Sequence, residues 1–152
     1  GPSITSPDGF IDRARLGQLI SADPAARRRL NGIVHPRVIE EFIIRTEELR
    51  RRHPDAVLVY DVPLLIEAKM GRLVDLVVLV YVPEKIQLAR LQRRDNLSAA
   101  EALSRVRSQM PLEEKVNYAD VVIDNSGSRA ETLRQVSHFW NKLQERYRSA
   151  EE

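Results

Sequence analysis

The sequence predicts an α/β fold with parallel strands, on three observations. Short aliphatic, β-branched runs recur at residues 56–62, 74–82 and 119–125, with helical stretches between them. Strands that alternate with helices join as parallel neighbours through crossovers. The runs at 56–62 and 74–82 are almost continuously apolar, the pattern of strands buried on both faces beneath helices. Two later segments open on Ser98…Glu101 and Ser128…Glu131, the spacing at which a serine and a glutamate reciprocally cap a helix start.

In chain order, residues 1–9 hold two prolines and two glycines and are expected to form a loop. Asp12 is placed to cap a short helix through Ile20, and Asp23-Pro24 to start a second, with proline at the first helical position. A third helix is expected from about Pro36 to Arg52, with Val38, Phe42, Ile43 and Leu49 on one stripe. After the strand at 56–62, the strand at 74–82 runs into Pro83 and a helix to residue 94. A helix from Ser98 to about Met110 and the strand at 119–125 follow. The turn Asn125-Ser126-Gly127 leads to a terminal amphipathic helix carrying Leu133, Val136, Trp140, Leu143 and Tyr147, and Glu151-Glu152 is a tail.

The 152 residues suffice for one domain, and 43% hydrophobic with 30% charged residues is ordinary for a globular chain. With 24 basic against 22 acidic residues, overall charge favours no class of partner. The absence of cysteine excludes disulfides and thiolate metal sites. No signal peptide and no apolar run of about 18 residues occurs, so a cytoplasmic location is expected.

Four features bear on chemistry. Asp61 ends an apolar run. The carboxyl end of a parallel strand is where α/β folds bind ligands, but a strand-end aspartate also commonly caps the next turn, and both readings are open. Within 90–107, Arg90, Arg93, Arg94, Arg105 and Arg107 stand against only Asp95 and Glu101. Their guanidinium forks suit phosphate oxygens, and a solvated basic face is the alternative. His35-Pro36 would lie at the positive end of the third helix, as an anion seat or as a simple cap. Finally, no Gly-x-x-x-x-Gly-Lys-Ser/Thr loop is present; the glycines are scattered at 1, 9, 17, 32, 71 and 127. No His-x-His or His-Glu-x-x-His spacing suggests a transition-metal site.

Six segments, in this order and spacing, resemble the dephospho-coenzyme A kinases. They are Pro7-Asp8-Gly9-Phe10-Ile11-Asp12-Arg13, Ile33-Val34-His35-Pro36-Arg37-Val38, Asp61-Val62-Pro63-Leu64-Leu65-Ile66-Glu67, Arg94-Asp95, Gln109-Met110-Pro111-Leu112-Glu113-Glu114-Lys115 and residues 119–128. They span residue 7 to about 140. The resemblance implies a three-layer α/β/α P-loop kinase fold with a parallel sheet, a helical acceptor-binding region and a helical lid. Its parts would be the acceptor region at 1–55, core at 56–89, lid at 90–110 and core again at 111–152. The implied reaction is phosphorylation of the ribose 3′-hydroxyl of dephospho-coenzyme A by ATP with Mg²⁺, the last step of coenzyme A synthesis.

By that resemblance His35, Pro36, Arg37, Asp61, Pro63, Leu64, Leu65 and Glu67 bind the acceptor. Arg90, Arg93 and Arg94 belong to the ATP lid, Asn125, Ser126 and Gly127 contact adenine, and Arg94 and Asp61 are the catalytic candidates. No protein metal ligand is expected. The family's Walker A strand and loop, with a second strand ending in an aspartate-rich segment, would precede Gly1, and its central strand would lie between those at 56–62 and 74–82. The expectation is therefore a fragment whose amino-terminal strands are missing and which is inactive alone. The alternatives are a truncated chain that pairs strands with another copy, and a non-catalytic coenzyme A-type ligand-binding or assembly module. Residues 90–110 contain no aromatic for base stacking, which argues against nucleic acid as partner. No membrane partner is expected, and oligomeric state is left open.

Overall fold

The structure is a computed structural model and describes residues 4–6 and 8–148. The expectations for residues 1–3, Pro7 and the 151–152 tail lie outside the described residues. The chain divides into two compact units, residues 1–63 and 64–152.

In the first unit, α1 (Arg13–Ala22) and α2 (Pro24–Arg52) pack on each other. Their starts follow the local chemistry. Asp12 accepts from the Ala14 and Arg15 amides at 3.0 Å each, and Asp23 accepts from Ala25 N at 2.7 Å ahead of Pro24. Contrary to the expected break at Pro36, α2 is one helix of 29 residues with that proline inside it. An interior proline costs about 3 kcal/mol through one lost backbone bond and crowding of the preceding turn. Packing further along offsets it: Phe42 is buried and its ring meets Tyr60 at 4.3 Å between centroids. Thr46 Oγ1 lies 2.9 Å from the Tyr60 hydroxyl and donates to Phe42 O.

Residues 56–62 do not form the expected strand. They run without a ladder, pinned through Tyr60, with Val59 83% exposed. A strand exists only where a neighbour takes up its N–H and C=O groups, and no described strand pairs with this run.

The second unit begins with a turn over 64–69 and a 3-10 turn, Met70–Leu73, then β1 (Val78–Tyr81), α3 (Glu84–Asp95) and α4 (Ala99–Arg107). After these come α5 (Leu112–Lys115), which passes into a 3-10 turn, β2 (Val121–Asp124) and α6 (Arg129–Arg148). The two strands are parallel, in register from Val78 opposite Val121 to Tyr81 opposite Asp124. The expected α/β class with parallel pairing is present, as a two-stranded sheet among the described residues. Each strand is four residues long, shorter than its apolar run, because pairing lasts only where both neighbours are extended. Asp120 Oδ2 accepts from Val77 N at 2.8 Å and closes one end of the ladder.

Both capping boxes form. Glu101 Oε2 accepts from Ser98 N at 2.9 Å while Ser98 Oγ accepts from Glu101 N at 3.3 Å, and Ser128 with Glu131 repeats this at 2.7 and 3.3 Å. Hydrogen bonds from the serine hold each glutamate carboxyl below its ordinary range.

The core of this unit is Met70, Leu79, Ala102 and Ile123. Burial of the strands on both faces is not achieved: Val78, Val80 and Val122 stay exposed. On α6, expected as an amphipathic helix carrying Leu133, Val136, Trp140, Leu143 and Tyr147, only Leu143 of these five is drawn in. Leu133, Val136, Trp140 and Tyr147 are exposed, while Thr132, Gln135, Phe139 and Leu143 are half-buried.

Candidate nucleotide and acceptor sites

Where β2 ends, five hydrogen bonds shape a turn. Asp124 Oδ1 accepts from Ser126 N at 2.7 Å, and these Ser126 hydrogen bonds keep the carboxyl below its usual range. The Gln135 amide clamps Asp124 from α6, accepting from Asp124 N at 2.9 Å and donating to Asp124 O at 2.7 Å. Asn125 N donates to Tyr81 O at 2.8 Å, and Asn125 Oδ1 accepts from Thr132 Oγ1 at 3.0 Å. The Asn125 side-chain NH₂ donates to no described residue.

This turn forms one wall of a groove of about 340 Å³ lined by Arg90, Asn125, Gly127, Arg129, Thr132, Leu133 and Val136. The groove opens beyond the carboxyl end of a parallel strand, the usual ligand position in such folds, and its volume falls within the range of small-molecule sites. It joins an apolar wall to an amide and two guanidiniums, which suits a flat polar ring carrying anionic substituents. Arg90 also lines an adjoining groove of about 470 Å³ along α3, with Lys85, Ile86, Ala89 and Arg93. Arg90, Asn125 and Gly127 are thus brought together and Arg93 adjoins them, while Ser126 is used in the turn itself.

Gly127 has a steric reason. A Cβ there would stand 2.5 Å from Glu131 Oε2, the oxygen that accepts from both Ser128 N and Oγ. Gly127→Ala must dislodge that cap, and we expect it to lower stability by about 1 kcal/mol, read by denaturant unfolding.

α3 and α4 pack as a hairpin whose link is an ion-pair cluster. Asp95 takes Arg94 in a bidentate grip, Nε to Oδ1 at 2.7 Å and Nη2 to Oδ2 at 3.1 Å, and its Oδ2 also accepts from Arg105 Nη1. The Arg94 hydrogen bonds, followed by the charge of Arg105, hold the Asp95 carboxyl below its ordinary range. The cluster keeps one net positive charge, and Arg94 remains 73% exposed.

Glu67 is committed inside the second unit. Its Oε1 lies 2.9 Å from Lys115 Nζ and accepts from Met110 N at 3.1 Å, while its Oε2 is buried without a hydrogen-bond partner among the described residues. Leu64 and Leu65 are half-buried in the same turn.

In the first unit, Asp61 is exposed and its carboxylate bonds to no described residue, so it caps nothing. His35 is half-buried in the middle of α2, not at a helix start; the free amides expected beside it are absent. Pro36 is exposed, as is Arg37, whose Nη1 pairs with Glu40 at 2.9 Å.

Sequence reasoning missed part of the lining of the groove by the turn: Arg129, Thr132, Leu133 and Val136. Their signal was the spacing of the first turns of α6 directly after the Asn125-Ser126-Gly127 turn. It also missed Lys115, the buried charge of this unit. Among the described residues no group of three or more His, Cys, Asp or Glu could hold a metal ion, and no helix is long and apolar enough to cross a membrane.

A family model described as dephospho-CoA kinase matches residues 1–131. The chain is 43% identical over 143 residues to a dephospho-CoA kinase of Syntrophus aciditrophicus, covering 94% of this chain and 61% of that one. It is 50% identical over 136 residues to the one from Carboxydothermus hydrogenoformans, covering 90% and 66%. It therefore spans somewhat under two thirds of the length of these relatives. Among solved structures, TT1252 from Thermus thermophilus superposes with a TM-score of 0.73 at 31% identity, covering 93% of this chain and 72% of that one. The dephospho-CoA kinase from Campylobacter jejuni superposes at 0.63 and 26% identity, covering 92% and 69%. The resemblance carried by the six sequence segments is thereby established: the chain belongs to the dephospho-CoA kinase family.

Proposed function

We propose that this chain carries the base-binding groove, the arginine hairpin and acceptor-side residues of an enzyme that moves the γ-phosphoryl of ATP to the ribose 3′-hydroxyl of dephospho-coenzyme A. The observation that carries this is the groove in which Arg90, Asn125 and Gly127 meet the apolar side of α6 at the end of β2. A nucleobase would lie against Leu133 and Val136, with the free Asn125 NH₂ as a donor to a ring acceptor. Arg90 and Arg93, on adjoining grooves, would attract the polyphosphate.

Phosphoryl transfer depends on positioning and on neutralising spread charge, which guanidiniums on a closing hairpin supply. Residues 90–110 are accordingly read as a lid, and Arg94 as the guanidinium that meets the transferring group. ATP would bring Mg²⁺ on its own phosphates; the described residues group no donors for it. His35, Pro36, Arg37, Asp61, Pro63, Leu64, Leu65 and Glu67 are read as acceptor-binding residues by the family resemblance. A cytoplasmic setting follows from the substrate.

The test is turnover by the full-length protein with ATP and dephospho-coenzyme A, following ADP and the 3′-phosphorylated product by mass spectrometry. Transfer to dephospho-coenzyme A and none to nucleoside monophosphates is expected. Transfer to nucleoside monophosphates instead, or to neither, overturns the proposal.

A further inference from the structure

Among the described residues of the second unit, the ion pair between Glu67 and Lys115 is where a charge is taken out of water: Lys115 is 4% exposed. A buried pair is weak evidence for stability, because desolvating both ions cancels much of their attraction, and here Glu67 Oε2 is buried with no hydrogen-bond partner among the described residues. What the pair supplies is geometry. Glu67 belongs to the turn over 64–69, Lys115 ends α5, and Met110, whose amide donates to the same Glu67 Oε1, lies in the link between α4 and α5. One carboxylate oxygen thus fixes three segments, and one of them is the downstream root of the α3–α4 hairpin that carries Arg90, Arg93, Arg94 and Arg105.

We infer that Glu67 and Lys115 are positioning residues that anchor the hairpin at Met110, so that it moves as a unit about that root. The inference rests on reading the hairpin as the nucleotide lid. The anchor also joins the lid root to the segment that directly follows Asp61-Val62-Pro63 in the chain. Displacement of Glu67 would therefore be felt by the arginines without any contact between Glu67 and a phosphate.

Amide hydrogen exchange of the full-length protein, measured without nucleotide, tests it. In Glu67→Leu/Lys115→Met both charges go and the volume stays, a change that buried pairs commonly tolerate without loss of stability. The melting temperature is expected to stay within a few degrees, while amides of residues 99–110 exchange about tenfold faster or more and those of α6 and β2 are unchanged. Glu67→Gln/Lys115→Met keeps an acceptor for Met110 N and should recover part of the protection. Unchanged exchange at 99–110, or acceleration spread evenly over residues 64–148, overturns the inference. Should the leucine variant fail to fold, the glutamine variant decides alone by the same two patterns. Because no nucleotide is present, failure here leaves the kinase reading to the transfer assay, and failure of transfer leaves the anchor standing.

Discussion

Replacing Arg94 by alanine is expected to slow phosphoryl transfer by the full-length protein about a hundred- to a thousandfold, with the melting temperature within a few degrees of its original value. The two halves of that expectation come from the same geometry. Arg94 is 73% exposed and its partner Asp95 is the next residue, so the pair is a surface ion pair, screened by solvent and of little weight in stability. Its loss cannot unfold a chain of this size. Asp95 engages only the Nε and Nη2 edge, however, so the other edge of the planar fork is left for an anion. A guanidinium held on one side and open on the other is suited to a phosphoryl group whose charge spreads as it transfers. A merely solvated basic face predicts the opposite: little change in rate and a small change in stability. Steady-state kinetics beside thermal unfolding separates the two. A lysine at this position would keep the charge but lose the fork, and should recover only part of the rate.

Local chemistry was the most legible part of the sequence. Asp12, Asp23, Ser98 and Ser128 each cap the helix they were expected to cap, because a cap needs only residues within one turn. The runs around Val78–Tyr81 and Val121–Asp124 were readable as parallel strands because each finds the other. The run at 56–62 carried as strong a signal and forms no ladder, since apolar composition shows that a strand can be buried and cannot show that its neighbour is there. For the same reason Val78, Val80, Val122, Leu133, Val136, Trp140 and Tyr147 remain exposed. Pro36 misled because proline is a helix opener and breaker by local rules, and the packing of Phe42 on Tyr60 is not local.

At the site, the turn at 125–127 and Arg90 were legible as separate fragments. Their meeting in one groove was not, nor was the share taken by Thr132, Leu133 and Val136, since both depend on where α6 lies on β2. Lys115 was hidden for a related reason. A lysine in Leu-Glu-Glu-Lys reads as solvated, and only the approach of Glu67, nearly fifty residues earlier, makes it a buried charge.

Asp61→Asn is expected to reduce turnover about tenfold or more while leaving unfolding unchanged to within roughly 0.5 kcal/mol. The sequence alone left two roles open for this carboxylate, and they differ in what the side chain must touch. A cap has to accept from backbone amides one to three residues on, and the change to asparagine would then weaken a bond that folding uses. In the structure the side chain bonds to no described residue and stands exposed beside Tyr60, the residue that pins its segment to α2. The backbone position is therefore fixed by a neighbour while the charge itself supports nothing in the fold. A fixed, solvated carboxylate at the end of an apolar run is available to a substrate hydroxyl or to a cation that accompanies phosphate. Asparagine keeps the shape and removes the charge. A loss confined to kcat would place Asp61 at the reacting atoms, and a loss confined to KM for dephospho-coenzyme A would place it in acceptor binding. Lowered stability with unchanged kinetics would return it to a structural role and remove it from the site.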